Sequence, residues 1–344
     1  MKYKLLSVNK DSLAEINIGD YIQALAALQY LPSFDGFVNR EELSRYDGEE
    51  CAVIMNGWFM HSPENWPPSK MIHPIFLSFH IDMEVSEEML SARNLKYFKE
   101  NEPIGCRDYY TCNLLMQKGI DSWFSGCLTL SLGKGFLSNE KRNTVYFVDP
   151  YMPDPCSKWD RLKNLLVFFS SPLAVYRLSK KISVFYSYKG VRDRIERPSQ
   201  FFRVYSKVFT TNCLVTATYI THSKSIYKTM SDKERMNEAK ALVEKYANGK
   251  FVVTSRLHCA LPCLGLHTPV YFIQNNKWND VFCCRFGGLI DLFNTVIISS
   301  NQIICNFEHK GKLSETSIVK NKNTWEPLAK AISIKCREQI NHIE

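Results

Sequence analysis

The chain is predicted to be an α/β protein made of two units, each on a mostly parallel sheet, and three observations predict it. With 344 residues, 45% of them hydrophobic, it is too long for one ordinary core and rich enough to fill two. Short apolar runs alternate with helical patterns, the order that yields parallel strands. Between Leu132 and Arg142 the composition turns to Gly, Lys, Ser and Asn, a linker that divides the chain near residue 135.

The first unit, residues 1–135, opens with a strand over Tyr3 to Val8, then a loop ending in Asn17-Ile18-Gly19-Asp20. A helix from Tyr21 to Tyr30 follows, and Asp20 three residues before Gln23 reads as a capping box. Further strands are expected at Ala52 to Met55, Ile75 to Phe79 and Ile104 to Cys106, with a helix from Ser86 to Lys99 between them. Arg107-Asp108 opens a helix that ends at Gly119. His80 then lies at the end of a strand, where open α/β sheets bind ligands.

The second unit, residues 136–323, starts with a strand over Thr144 to Val148. A strand near Leu214 to Ile220 comes next, then a helix from Ser231 to Tyr246 closed by Asn248-Gly249. Ser231 with Glu234 forms another capping box, and Met236, Ala239, Val243 and Tyr246 supply the buried stripe. Phe251-Val252-Val253 and Pro269 to Gln274 are buried strands. A terminal helix over 324–344 is long enough to cross back onto the first unit.

From Lys158 to Lys207 twelve Lys or Arg face three acids, a local +9 against +8 for the whole chain, so the remainder sums to −1. The segment interleaves these cations with Leu165, Leu166, Val167, Phe168, Phe169, Tyr176, Phe185, Tyr186, Phe201 and Phe202. It reads either as a surface meeting anionic lipid head groups or a lipid pyrophosphate, or as a solvated insertion packed on its own domain. No zinc-finger, RNP or helix-turn-helix pattern supports a nucleic-acid partner. The twelve cysteines are scattered, with no paired CxxC units, so neither a metal site nor a disulfide scaffold is expected. The start, Met1-Lys2-Tyr3-Lys4-Leu5-Leu6, lacks a signal-peptide core, and no apolar run nears the roughly 20 residues that span a bilayer. The expectation is a cytoplasmic protein, peripheral on the inner face of the cell membrane.

The densest chemistry lies in Thr254-Ser255-Arg256-Leu257-His258-Cys259-Ala260. A buried strand precedes it, and Leu257, Ala260, Leu261 and Leu264 fall on one helical face after it, so Arg256 and His258 occupy a strand-to-helix turn. The unpaired N–H groups of a helix start and the planar fork of Arg256 suit a carboxylate or phosphate, and His258 supplies a group that titrates near neutrality. Pro262 removes the hydrogen bond to the His258 carbonyl and kinks the helix one turn beyond.

These pieces together resemble the polysaccharide pyruvyl transferase family. The matching set is Asn17-Ile18-Gly19-Asp20; Arg107-Asp108 with Leu114, Leu115, Gly119 and Ile120; Ser125-Gly126-Cys127-Leu128-Thr129-Leu130; Ser255-Arg256-Leu257-His258; and Thr268-Pro269-Val270, in the family's order. The basic insertion and the end from Cys283 to Glu344 match less, apart from Arg285-Phe286-Gly287-Gly288-Leu289. The resemblance implies two Rossmann-like domains facing a cleft, as in GT-B glycosyltransferases, with the acceptor on the first and phosphoenolpyruvate on the second. It implies transfer of the enolpyruvyl unit onto two hydroxyls of a sugar in a lipid-linked surface-polysaccharide precursor, forming a ketal and releasing phosphate. No cofactor beyond the phosphoenolpyruvate co-substrate and no metal is implied. Arg256, Leu257 and His258 match the family's donor-pocket triplet, with Arg107 or Arg285 as a further donor-binding arginine. Asn17, Gly19, Asp20 and His80 are the acceptor-side candidates.

Phosphoenolpyruvate carries two anionic groups and a methylene carbon that must be protonated before C2 becomes electrophilic. Arg256 suits the clamp and His258 the acid. Two rival readings remain: a glycosyltransferase using a nucleotide sugar, which wants an acidic residue after a Gly-rich turn that the second unit lacks, and a non-catalytic glycan- or lipid-binding protein of the same fold.

Overall fold

The computed structural model describes residues 1–133, 135–136, 144–152, 157–275, 284–298 and 303–343. The N-terminal half holds two all-parallel four-stranded sheets. One joins Phe37–Asn39 (β3), Lys2–Ser7 (β1), Cys51–Ile54 (β4) and Ile72–Ile75 (β6) in that order; the other joins Gly57–Phe59 (β5), Phe79–Ile81 (β7), Ile104–Cys106 (β8) and Ser122–Phe124 (β9). The C-terminal half holds one six-stranded sheet, in the order Thr218–Ile220 (β11), Thr144–Val148 (β10), Gly249–Thr254 (β13), Val270–Asn275 (β14), Asn294–Ile298 (β15) and Ile303–Cys305 (β16). Only its last pairing is antiparallel. A short antiparallel ribbon of Ile16–Asn17 (β2) and Ser223–Lys224 (β12) joins the halves.

The α-helices whose bounds lie among the described residues are Gly19–Leu28 (α1), Ser86–Met89 (α2), Ala92–Glu100 (α3), Tyr109–Gln117 (α4), Lys158–Ser170 (α5), Pro172–Ile182 (α6), Val191–Tyr205 (α7), Thr211–Thr216 (α8), Asp232–Ala247 (α9), Leu257–Gly265 (α10) and Trp325–Asn341 (α11). Helix α9 starts where its capping box demands: the Ser231 hydroxyl accepts from the Glu234 amide, and the Glu234 carboxylate accepts from the Ser231 amide at 2.7 Å. Its stripe of Met236, Ala239, Val243 and Tyr246 is buried.

Four local expectations are corrected. Asp20 does not cap α1; it lies inside the first turn, and its carboxylate accepts instead from Gln23 and Arg40. The apolar run from Ile75 to Phe79 is not one strand. Ser78 takes a φ of 58° and sends β6 and β7 into different sheets. The expected helix from Ser86 to Lys99 breaks at Leu90–Ser91 into α2 and α3. Leu214 belongs to α8, capped by the Thr210 hydroxyl, and the strand begins only at Thr218. Most of the expected linker, Leu132 to Arg142, and Cys283 lie outside the described residues.

The largest core cluster runs through both halves: Tyr3, Tyr21, Ile22 and Ala26 share it with Val243, Val252, Leu261, Phe272 and Ile332. Helix α1 packs on α9 and α10, and α11 returns onto residues 128–131 of the N-terminal half. Arg235, 3% exposed, anchors the seam. It donates to the Tyr227 carbonyl and to the Tyr21 hydroxyl, while Tyr21 donates to Asp232 at 2.6 Å. Tyr21→Phe deletes a hydrogen bond to a charged partner across this seam. It is expected to lower unfolding free energy by about 2 kcal/mol in urea titrations.

Candidate functional site

The carboxyl ends of strands from both halves converge on one cleft. The first sheet supplies Val8 just beyond β1; the second supplies Asp82 beyond β7 and Arg107 beyond β8. The C-terminal sheet supplies Asp149 beyond β10, His222 beyond β11, and Ser255 and Arg256 beyond β13. Ligands of open α/β sheets bind at such ends. The cleft comprises a larger chamber of about 310 Å³ and a smaller one of about 120 Å³, and both are lined by Asn17, Arg107, His258 and Arg285.

The smaller chamber is cationic. Ser255 is pinned between the Ile273 carbonyl and the Tyr151 amide, so the turn after β13 is fixed. Arg256, whose side chain is 41% exposed, donates Nε to Asp149 Oδ2 at 2.9 Å. Asp149 also accepts from the His222 amide. Arg107 is 2% exposed at the start of α4 and lies 3.6 Å from Asp108. The Gly287 carbonyl accepts from the Tyr109 amide, which ties the 285–288 turn to the base of α4. Loss of water around the Arg285 guanidinium and the neighbouring charge of Arg107 push its pKa down, and Asp82 only partly offsets them. Crowded cations of this kind are relieved by a multiply charged anion.

His258, in the first turn of α10, lines both chambers, and its Nε2 has no hydrogen-bond partner among the described residues. Desolvation, with the charges of Arg107 and Arg285, holds its pKa well below the ordinary value, so the imidazole is neutral at neutral pH. Gly19 makes this approach possible: a Cβ there would meet Asn17 Oδ1 at 3.0 Å and His258 Cβ at 3.2 Å. The same Asn17 Oδ1 accepts from the Gly19 amide.

The larger chamber is polar and aromatic. Arg40, 2% exposed, bridges Asp20 at 3.3 Å and Glu41 at 3.0 Å beneath the Trp58 ring. Burial disfavours its charge, but Asp20 and Glu41 outweigh that and raise its pKa. Glu41 accepts from the His61 and Ser62 amides, and the Trp58 indole donates to Asp82. Burial lowers the His61 pKa.

Of the sequence candidates, Asn17, Asp20, Arg107, Arg256, Leu257, His258 and Arg285 line the cleft, and Gly19 backs His258. His80 does not. It is wholly buried in mid-strand, with Nδ1 2.6 Å from Asp108 Oδ2 and 3.2 Å from Thr111 Oγ1, because the strand starts at Phe79 rather than ending there. Burial and Arg107 push its imidazole to about 4 despite Asp108. Burial alone would raise the Asp108 carboxyl, yet His80, Arg107 and the Thr111 amide hold it below the usual range. His80 thus supports the root of Arg107 from below. Sequence reasoning missed Trp58, His61, Arg40, Asp82 and His222, which sit on short strands or turns with no periodicity to flag them.

The α/β fold thus frames a crowded cationic pocket, a histidine nitrogen with no partner among the described residues, and a polar–aromatic annex beside them. A family model described as polysaccharide pyruvyl transferase matches residues 17–277, and the chain belongs to that family. The membership brings pyruvyl transfer to a polysaccharide acceptor as the general activity. Comparisons with curated proteins and with solved structures returned no match.

Two outcomes are expected. Gly19→Ala forces His258 or Asn17 to move by a few tenths of an ångström, so transferase turnover should fall while the unfolding midpoint shifts little; unchanged turnover would show that this contact is slack. The folded protein binds protons on His258 and His80 less tightly than the unfolded chain does. Stability should therefore be full above the unfolded histidine pKa of about 6.5 and decline as pH falls below it, by about 1.4 kcal/mol per pH unit for each group. Urea titrations between pH 7 and 5 read the slope.

Proposed function

We propose that the protein transfers the enolpyruvyl group of phosphoenolpyruvate onto two hydroxyls of one sugar in a lipid-linked precursor of a bacterial surface polysaccharide, such as a capsule or exopolysaccharide. It would work at the inner face of the cell membrane, and no described helix is long and apolar enough to cross a bilayer. The observation that carries the reading is the placement of Arg256, Arg107 and Arg285 around an unpaired His258 nitrogen. Phosphoenolpyruvate matches it: a carboxylate and a phosphate for three guanidinium groups, and one carbon that needs a proton. The reading asks for no cofactor beyond that co-substrate.

His258, neutral among these guanidinium groups, becomes a competent acid when the donor's negative charge arrives within a few ångströms, since nearby full charges favour imidazolium. Proton transfer from His258 to the methylene carbon makes C2 electrophilic, and the first sugar hydroxyl adds there. The phosphate then leaves, with Arg256 and Arg107 stabilising its growing charge, and the second hydroxyl closes the ketal. Of the two hydroxyl protons released, one replaces that given to the methylene carbon and the other departs with phosphate. The sugar would occupy the larger chamber, where Trp58 offers a ring face and Asp20, Asp82 and His61 offer hydroxyl partners.

Incubating the protein with phosphoenolpyruvate and a panel of lipid-linked saccharides should release phosphate and add the mass of a pyruvate ketal to one acceptor. Saccharide binding without phosphate release would overturn the reading in favour of a non-catalytic glycan binder. Arg256→Lys keeps charge but loses the fork, so donor affinity and turnover should fall together in steady-state kinetics. His258→Gln should keep donor binding by calorimetry while turnover drops roughly 10²–10⁴-fold.

A further inference from the structure

Helix α5 carries a second apolar stripe, on the side that faces water. Trp159, Leu162, Leu166 and Phe169 recur at spacings of three and four and are 73%, 48%, 61% and 75% exposed. The opposite side makes the contacts with the rest of the fold: Val167 and Phe168 pack on the C-terminal core, buried Asn164 accepts from Arg203 of α7 at 2.9 Å, and Asp160 pairs with the same arginine at 3.2 Å. A helix serving only its own fold needs the inward stripe alone and carries polar residues on the other side. Ser171 ends α5 and Pro172 starts α6 at once, so the stripe turns the corner onto Leu173, 74% exposed, and Tyr176, 58% exposed. Meanwhile Val175, Leu178 and Ile182 of α6 are the residues packed into the C-terminal core.

Exposed cations flank the stripe: Arg161 and Lys163 on α5, and Arg177 and Lys180 on α6, the last with its ammonium 4.5 Å from the Tyr176 ring centre. This insertion carries the chain's entire positive excess. Two copies meeting through the face would press like charges together, whereas a lipid surface with anionic head groups satisfies both the apolar side chains and the cations around them.

We propose that the α5–α6 elbow is a membrane-docking face. Trp159, Leu166, Phe169 and Leu173 enter the boundary between head groups and acyl chains, and Arg161, Lys163, Arg177 and Lys180 sit among the lipid phosphates. The proposal deepens the reading of a membrane-borne acceptor and rests on it for its biological purpose. The test reads lipid binding with no donor or acceptor present, so failure of one is distinguishable from failure of the other.

The full-length protein should co-sediment with phosphatidylcholine–phosphatidylglycerol vesicles and much less with pure phosphatidylcholine. Brominated acyl chains should quench part of its tryptophan fluorescence, and Trp159→Phe should abolish that part. The double variant Leu166→Ser, Phe169→Ser should lose vesicle affinity about tenfold or more. Lys163→Gln and Lys180→Gln should each lose about fivefold, an effect that added salt mimics. Circular dichroism of the variants should match the parent. Three results would each overturn the proposal: no binding to anionic vesicles, binding that ignores the apolar substitutions, or an apolar double variant that changes only the sedimentation coefficient from dimer to monomer.

Discussion

The cleft depends on a two-residue ribbon. Pairing of Ile16–Asn17 with Ser223–Lys224, reinforced by the bond from the Ile18 amide to the His222 carbonyl at 3.0 Å, brings the loop after β1 against the strand ends of the other half. Without it, Asn17 and Asp20 would not stand opposite His258. The ribbon holds because α1 behind it packs on α9 and α10, so a few backbone bonds need only set the register that the hydrophobic core enforces.

That register decides the electrostatics. Arg107 comes from the N-terminal half, and Arg256 and Arg285 come from the C-terminal half. Each alone would be an ordinary strand-end cation, two of them leaning on Asp108 and Asp149. Brought together, Arg107 and Arg256 weaken the hold of Arg285 on its proton, and Arg107 and Arg285 weaken that of His258, so positive charge from both halves concentrates in one cleft. Neutral buried His80 beside Asp108 adds nothing to the repulsion, as an imidazolium there would.

Strong local signals in the sequence coincide with the structure. The strand Ile104–Cys106, the strand Thr144–Val148, the capping box at Ser231 and the turn carrying Arg256 and His258 all stand where periodicity and capping chemistry put them. The errors have local causes. Ser78 adopts a left-handed conformation that an apolar run conceals, and Asp20 prefers Arg40, twenty residues away, to the helix end beside it. Strands β3, β5 and β9 have three residues each, too few to display a period, and β5 carries Trp58 into the larger chamber. The basic insertion was legible as composition but not as geometry. Its residues divide between the two readings: Phe201 and Phe202 are core, and Leu166 and Phe169 are surface.

The outward stripe on α5 has a cost in solution. Six large exposed apolar side chains along one elbow are the kind of surface that drives colloidal self-association in soluble proteins. Only the flanking cations oppose that tendency, and their mutual repulsion weakens as ionic strength rises. Purified in dilute buffer the protein should stay dispersed; concentrated in high salt it should cloud, and a mild detergent should clear it by covering the stripe.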